Sequence, residues 1–238
     1  MVLMIIAAVA AYWIKGMCGF ANTLVFTSIL SFGMDNVNIS PLELLIAIPS
    51  NLIMICQEHK HVNWRIALSV AAVVILGGLP GIFLLKSAGS QGVKLLLGAL
   101  IIYTGIDMLW KETHGGGKPM SPGATVAMNF ISGIFCGLYG IGALMAANIA
   151  RITKDTHEAR GTMSVVFILE SMVRTTLYCV TGILTWDTAL QAVKILPFTL
   201  LGLLLGSLCI RRVNERTARF VIIGALIVSG IALIVANL

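Results

Sequence analysis

The chain has 238 residues, of which 58% are hydrophobic and 11% charged, and its mean hydropathy is +0.97. A soluble domain carries about 25% charged residues, so this composition excludes an ordinary water-dispersed globule and leaves the lipid bilayer as the tolerant solvent. The net charge of +6 does not point to nucleic acid, because the basic residues stand in short loops without interleaved aromatics, where positive-inside topology and anionic headgroups account for them.

In chain order, apolar runs long enough to cross a membrane, roughly 17–25 residues, fall at 2–33, 39–56, 66–85, 93–110, 123–150, 162–183, 189–210 and 219–237. They predict an all-α integral membrane fold of about eight hydrophobic segments. The first run contains Ala8-Val9-Ala10, which imitates a signal-peptide cleavage site; no basic stretch precedes it, so the run is expected to be retained. Polar loops such as Gln57-Glu58-His59-Lys60-His61 and Arg211-Arg212-Val213-Asn214-Glu215-Arg216 separate the runs. The longest interruption, from Lys111 to Pro119, divides the chain into 1–112, a linker at 113–122, and 123–238. Cys18, Cys56, Cys136, Cys179 and Cys209 have no CxxC spacing and read as buried small hydrophobes.

The two halves read as copies of one unit. Asn63-Trp64-Arg65-Ile66-Ala67-Leu68 matches Thr185-Trp186-Asp187-Thr188-Ala189-Leu190, and Gly77 and Gly81 match Gly202 and Gly206. Gly98-Ala99-Leu100-Ile101 recurs as Gly224-Ala225-Leu226-Ile227, and Gly16-Met17-Cys18-Gly19-Phe20 aligns with Gly137-Leu138-Tyr139-Gly140-Ile141. Matches in one order, at offsets of 121 to 126, exceed what shared apolar composition produces.

The opening run of each half is too long for one span and is broken by glycines. The flanking pieces, about 14 residues or ~20 Å of helix each, suit a re-entrant hairpin, since irregular backbone at membrane depth needs protein or a polar cavity beside it. Charge supports the hairpins. If both runs simply span, Lys86, Lys94, Arg151, Lys154, Arg160, Arg211, Arg212, Arg216 and Arg219 face one side, opposite Lys60, Arg65, Lys111 and Lys118. If both are hairpins, only Lys86 and Lys94 stand opposite the rest, which obeys the positive-inside rule better and makes the halves inverted repeats.

Ionisable groups inside the apolar runs are few. Lys15 immediately precedes Gly16-Met17-Cys18-Gly19; a charge at mid-bilayer costs roughly 2.5–3.5 kcal/mol on insertion scales and needs a partner. It reads as an anion ligand at the hairpin tip or as a lysine snorkelling to an interface. Glu170 and Arg174, four apart, share a helical face as an ion pair. The pair is either a pin between helices or a substrate site in which Glu170 orients a guanidinium suited to oxyanions.

Gly16, Gly19, Gly137, Gly140 and Gly142 can unwind a helix and bare N–H groups, with the positive end of a half-helix dipole behind them. Breaks in corresponding positions of two halves mark the binding site of repeat transporters. Gly77, Gly81, Gly202 and Gly206 suit close helix packing instead. Asn22 and Asn148, one turn beyond each break, can supply amide donors, while Asp107, Glu43 and Lys194 are expected to reach the interface. His59 and His61 alone make no metal site. No Walker, Rossmann, HExxH or GxSxG pattern stands in a workable context, so neither a cofactor nor an enzyme is expected.

Lys15-Gly16-Met17-Cys18-Gly19-Phe20-Ala21-Asn22-Thr23-Leu24-Val25 resembles the glycine-rich first motif of the sulfite exporter TauE/SafE family of membrane permeases. Gly133-Ile134-Phe135-Cys136-Gly137-Leu138-Tyr139-Gly140-Ile141-Gly142 resembles its second copy, and His61-Val62-Asn63-Trp64-Arg65 resembles its loop before the third helix. Ala21-Asn22-Thr23 stands where the family commonly has three glycines. The resemblance implies export of sulfite, sulfonates or related sulfur anions.

The expectation is therefore a multi-pass protein of the inner (plasma) membrane that carries a small anion without ATP. Its partners would be that anion and the lipid bilayer, with no nucleic acid and with a homodimer possible through exposed GxxxG faces. The anion would sit between the glycine breaks, near Lys15 and Arg174, and rocking of one half against the other would expose it alternately. A passive channel or a membrane scaffold is the alternative.

Overall fold

The computed structural model describes the chain apart from residues 1, 32, 88–89, 115–120, 210–219, 221–222, 225–226, 229, 232–233 and 236–238. The last apolar run and most of the expected linker therefore lie largely outside the described residues. Among the described residues every regular element is helical: α1 (Val2–Cys18), α2 (Asn22–Leu30), α3 (Asn36–Glu58), α4 (Trp64–Ser87), α5 (Ser90–His114), α6 (Pro122–Tyr139), α7 (Ala143–Ile152), α8 (Thr156–Val180) and α9 (Trp186–Cys209). Four of them, α3, α4, α8 and α9, are long and apolar enough to cross a membrane. Their outward faces carry exposed Leu68, Leu76 and Phe83 on α4 and Leu201, Leu204, Leu205 and Leu208 on α9. Such surfaces are stable against lipid and not against water.

Local sequence fixes several helix ends. Ser121 caps α6 by accepting from the Ala124 N–H, with Pro122 at the first helical position. Asp155 caps α8 by accepting from the Glu158 N–H at 2.8 Å, and that bond holds its carboxyl below the usual carboxylate range.

Each opening run doubles back on itself. Gly33, past the end of α2, lies beside Leu3 at the start of α1: a Cβ built on it would stand 3.9 Å from Leu3 Cδ2. In the second run, the Asn148 amide donates to Asn129 Oδ1 at 3.2 Å, and the Met145 N–H donates to Ser132 Oγ at 3.1 Å. Pairings of 129 with 148 and 132 with 145 are those of an antiparallel hairpin. The arms are unequal, however. The breaks fall at 19–21 and 140–142, so each hairpin has a long first arm of 17 or 18 residues and a short second arm of 9 or 10.

The helices of the two chain halves interlace. α1 packs along α9 and α6 along α4, while α3 and α8 pack on each other between these pairs. Glycine decides the first two contacts. A Cβ on Gly77 would overlap the Phe130 carbonyl, one on Gly81 the Ile134 carbonyl, and one on Gly206 the Trp13 carbonyl. The close-packing role expected of Gly77, Gly81, Gly202 and Gly206 is what the structure assigns them. Gly16 and Gly137 join the same seams: Gly16 stays helical in α1 against Leu203 and Gly206, and Gly137 stays helical in α6 against Gly78 and Ile82. In lipid, where burial of apolar surface gives little drive, such backbone approach supplies the dispersion that holds helices together.

Candidate functional site

The break in the first hairpin is built by two left-handed residues. Gly19 has φ 87° and donates its N–H to the Lys15 carbonyl at 2.7 Å, closing α1. Ala21 has φ 73°, which costs an L-residue roughly 1–2 kcal/mol. In the second hairpin Gly140 has φ 74° and donates to the Cys136 carbonyl at 2.7 Å, closing α6 in the same way. After each break a short helix begins at a residue whose own side chain cannot cap it, α2 from Ala21 and α7 from Gly142, although in α7 the Met145 N–H is taken by Ser132 Oγ. Uncapped first-turn N–H groups carry the positive end of the helix dipole.

The two breaks meet. A small, partly open recess is lined by residues 20–24 of the first hairpin, residues 140–142 of the second and Phe167 of α8. Gly19 lies at its edge in sequence, under the Arg160 side chain, where a Cβ would stand 2.7 Å from Arg160 Cγ.

Charged side chains surround this recess, all buried. Glu43 of α3 accepts from Asn22 Nδ2 at 2.7 Å and from Thr23 Oγ1 at 2.8 Å, both bonds ending on Oε1. Glu43 was expected at the interface; instead it is 1% exposed. It lies two turns into α3 on the face that the first hairpin covers, and the two donors compensate its burial. Arg174 donates from Nη1 to the Cys136 carbonyl at 3.0 Å and lies with Nε 3.2 Å from Glu170 Oε1. That N–H does not point at the oxygen, so the Glu170 contact is ionic rather than a hydrogen bond. A Cβ on Gly140 would stand 2.6 Å from Arg174 Nη1 and 3.0 Å from Glu43 Oε2. Gly140 thus has no side chain because a guanidinium and a carboxylate already flank it.

Lys15 is buried, 1% exposed, and donates from Nζ to Ser50 Oγ at 2.9 Å and Asn51 Oδ1 at 2.6 Å. It is not snorkelling, and it holds α1 to α3 one turn before the break. Asn22 begins α2 at the recess, whereas Asn148 pins α7 to α6 through Asn129. Of the residues singled out in the sequence, the structure therefore gathers Asn22, Gly140 and Gly142 around one recess, with Arg174 and Glu170 behind Gly140. Gly16, Gly137 and Asn148 serve packing.

Sequence reasoning missed Glu43, Thr23 and Arg160. A signal existed for the first, since Ser40, Glu43, Ala47, Ser50 and Asn51 recur at helical spacing on one buried face. Arg160, counted among loop cations, is 6% exposed and pairs with Glu58 at 3.6 Å. Beside them His61 and His157 approach the other Glu58 oxygen, at 3.8 and 2.8 Å. These three could offer a metal one atom each, but the Arg160 guanidinium already holds the carboxylate as an ion pair. Among the cysteines, Cys136 is buried as expected, while Cys56 and Cys179 are exposed on outward faces.

An all-helical chain with lipid-compatible helices, and two broken hairpins meeting at a charged recess, has the build of a membrane permease. The chain belongs to the sulfite exporter TauE/SafE family, whose model matches residues 3–233. It is similar to a probable sulfite/organosulfonate exporter TauE of Cupriavidus necator, 26% identical over 197 residues that cover 79% of this chain and 75% of that protein. No solved structure matches the chain.

Proposed function

We propose that the chain is a secondary exporter of a small sulfur oxyanion, sulfite or an organosulfonate, in the inner membrane. Family membership and the relative's name support the substrate class. The observation that carries the reading is the recess between the starts of α2 and α7, with Arg174 behind Gly140. Backbone N–H groups of α2 and α7, with the Asn22 amide, would hold the anion. Gly19, Gly140 and Gly142 keep side chains out of its way. Glu170 orients Arg174, and Lys15 adds positive field from behind α1 without touching the substrate.

In this reading the chain has eight hydrophobic segments in two inverted repeats, 1–112 and 123–238, joined by a linker, and the hairpins re-enter from opposite sides. The moving bodies differ from those expected of rocking halves. α1 is seamed to α9 and α6 to α4, so each rigid pair contains a helix from both halves, and alternating access runs between the pairs across α3 and α8.

The test is flux from proteoliposomes holding the purified full chain. Saturable efflux of sulfite and of methanesulfonate, accelerated by the same anion outside, is expected of a carrier. Efflux that rises linearly with concentration and shows no counterflow would make it a channel, and no flux of either anion would remove the substrate class.

A further inference from the structure

Glu43 presents a problem for any anion carrier of this shape. The buried charges of this region are Lys15, Arg160 and Arg174, all positive, and Glu43, Glu58 and Glu170, all negative, so their formal sum is zero. Arg160 and Glu58 form a separate pair beyond Gly19. Glu43 already occupies the place an anion would take: it holds the Asn22 amide and the Thr23 hydroxyl, both recess-lining, and turns Oε2 to Gly140. An entering anion would meet this carboxylate a few ångströms away in a desolvated site, where like charges repel strongly.

Four elements turn polar or charged side chains toward Glu43. α1 offers Tyr12 and Lys15; α2 offers Asn22 and Thr23; α6 offers Cys136; α8 offers Glu170 and Arg174. The cations are already engaged, Lys15 by Ser50 and Asn51 and Arg174 by Glu170 and the Cys136 carbonyl. No surplus positive charge stands ready among these groups.

We infer that Glu43 takes up a proton when the anion binds, so that the chain is a proton–anion symporter; this rests on the anion-carrier reading above. The proton adds to Oε2, since both side-chain donors end on Oε1. The bond formed is O–H, no electrons are exchanged, and the proton leaves to water on the far side when the anion does. The neutral acid stops repelling the substrate and offers it a hydrogen-bond donor. Empty, the ionised carboxylate keeps Asn22 and Thr23 satisfied and the site closed to anions. For a monoanion the loaded cycle moves no net charge.

The experiment uses methanesulfonate, which does not titrate near neutral pH, so any proton counted comes from the protein. Liposomes holding the full chain, a lumenal pH dye and potassium with valinomycin are given an outward methanesulfonate gradient. The expected result is lumenal alkalinisation of about one proton per anion, with an equilibrium anion ratio unmoved by potential. Uncoupled anion movement would instead shift that ratio roughly fifty-fold per 100 mV. Glu43→Gln, a neutral mimic of the protonated acid, is expected to retain counterflow while losing proton movement. Wild-type flux without proton movement overturns the coupling but leaves the carrier standing, and absence of any flux overturns the carrier itself. Proton movement that persists in Glu43→Gln assigns the proton elsewhere and sinks the role of Glu43. If the variant does not fold, the wild-type proton count and potential response still decide the coupling.

Discussion

The two hairpin breaks use one backbone design and opposite placements of charge. Gly19 and Gly140 are both left-handed closures of a long helix, separated by the offset of 121 that aligns Gly16 with Gly137. The same offset sets Lys15 opposite Cys136. In the first hairpin the cation stands on the broken helix, and Lys15 reaches across to Ser50 and Asn51 of α3. In the second it stands on the neighbouring helix, and Arg174 of α8 reaches back to the Cys136 carbonyl. The breaks therefore keep the same joint between broken and unbroken helix while exchanging donor and acceptor sides. Backbone geometry is what the two share; side-chain chemistry is where they diverge, since Arg174 sets its guanidinium against Gly140 whereas Arg160 lays only its methylenes on Gly19.

The largest expected effect tests that divergence. Arg174→Ala leaves Glu170 buried without its cation, a loss of about 3–5 kcal/mol, and methanesulfonate efflux should fall at least tenfold. Lys15→Met leaves only neutral acceptors unpaired, about 1–3 kcal/mol, with a smaller loss of flux. Melting in detergent and initial efflux rates compare the two, and a more damaging Lys15 variant would reverse the ranking of the breaks. Next, Gly140→Ala adds left-handed strain of about 1–2 kcal/mol and pushes on Arg174 Nη1, so it should lower both melting temperature and flux. Ala21→Gly runs the other way and should raise stability by about 1 kcal/mol, because it relieves the same strain in the first break. A neutral or destabilising result there means Ala21 is held by contacts that glycine lacks. Smallest is Asn148→Ala, which removes one hydrogen bond worth about 1 kcal/mol and should leave efflux nearly unchanged; a strong transport defect would make Asn148 a ligand rather than a pin.

Much of the architecture could be read in advance because it is written in glycine and in hydropathy. The break positions, the seam glycines and the Glu170–Arg174 pair all follow from local spacing, and each lies within a few residues of where it was expected. Unequal hairpin arms were not readable, since Gly16 and Gly19 look alike in sequence and only the fit of Gly16 against Gly206 keeps it helical. Glu43 escaped for a similar reason. Its distance from the end of an apolar run suggested an interface, whereas its burial depends on a hairpin folding back over α3. Arg160 was hidden likewise, because its partner Glu58 comes from the other half of the chain.

The seam of α1 against α9 also bears on how the protein is made. α1 leaves the ribosome long before α9, with Gly16 and the backbone around Val9 and Trp13 bare on one side. Its complement is not synthesised until α2 to α8 have already been inserted. A nascent chain must therefore hold that bare helix in the membrane, partnered by lipid or by an insertion factor, until α9 follows. Truncation ahead of α9 should leave a product that quality-control proteases clear, even with every recess-lining residue present.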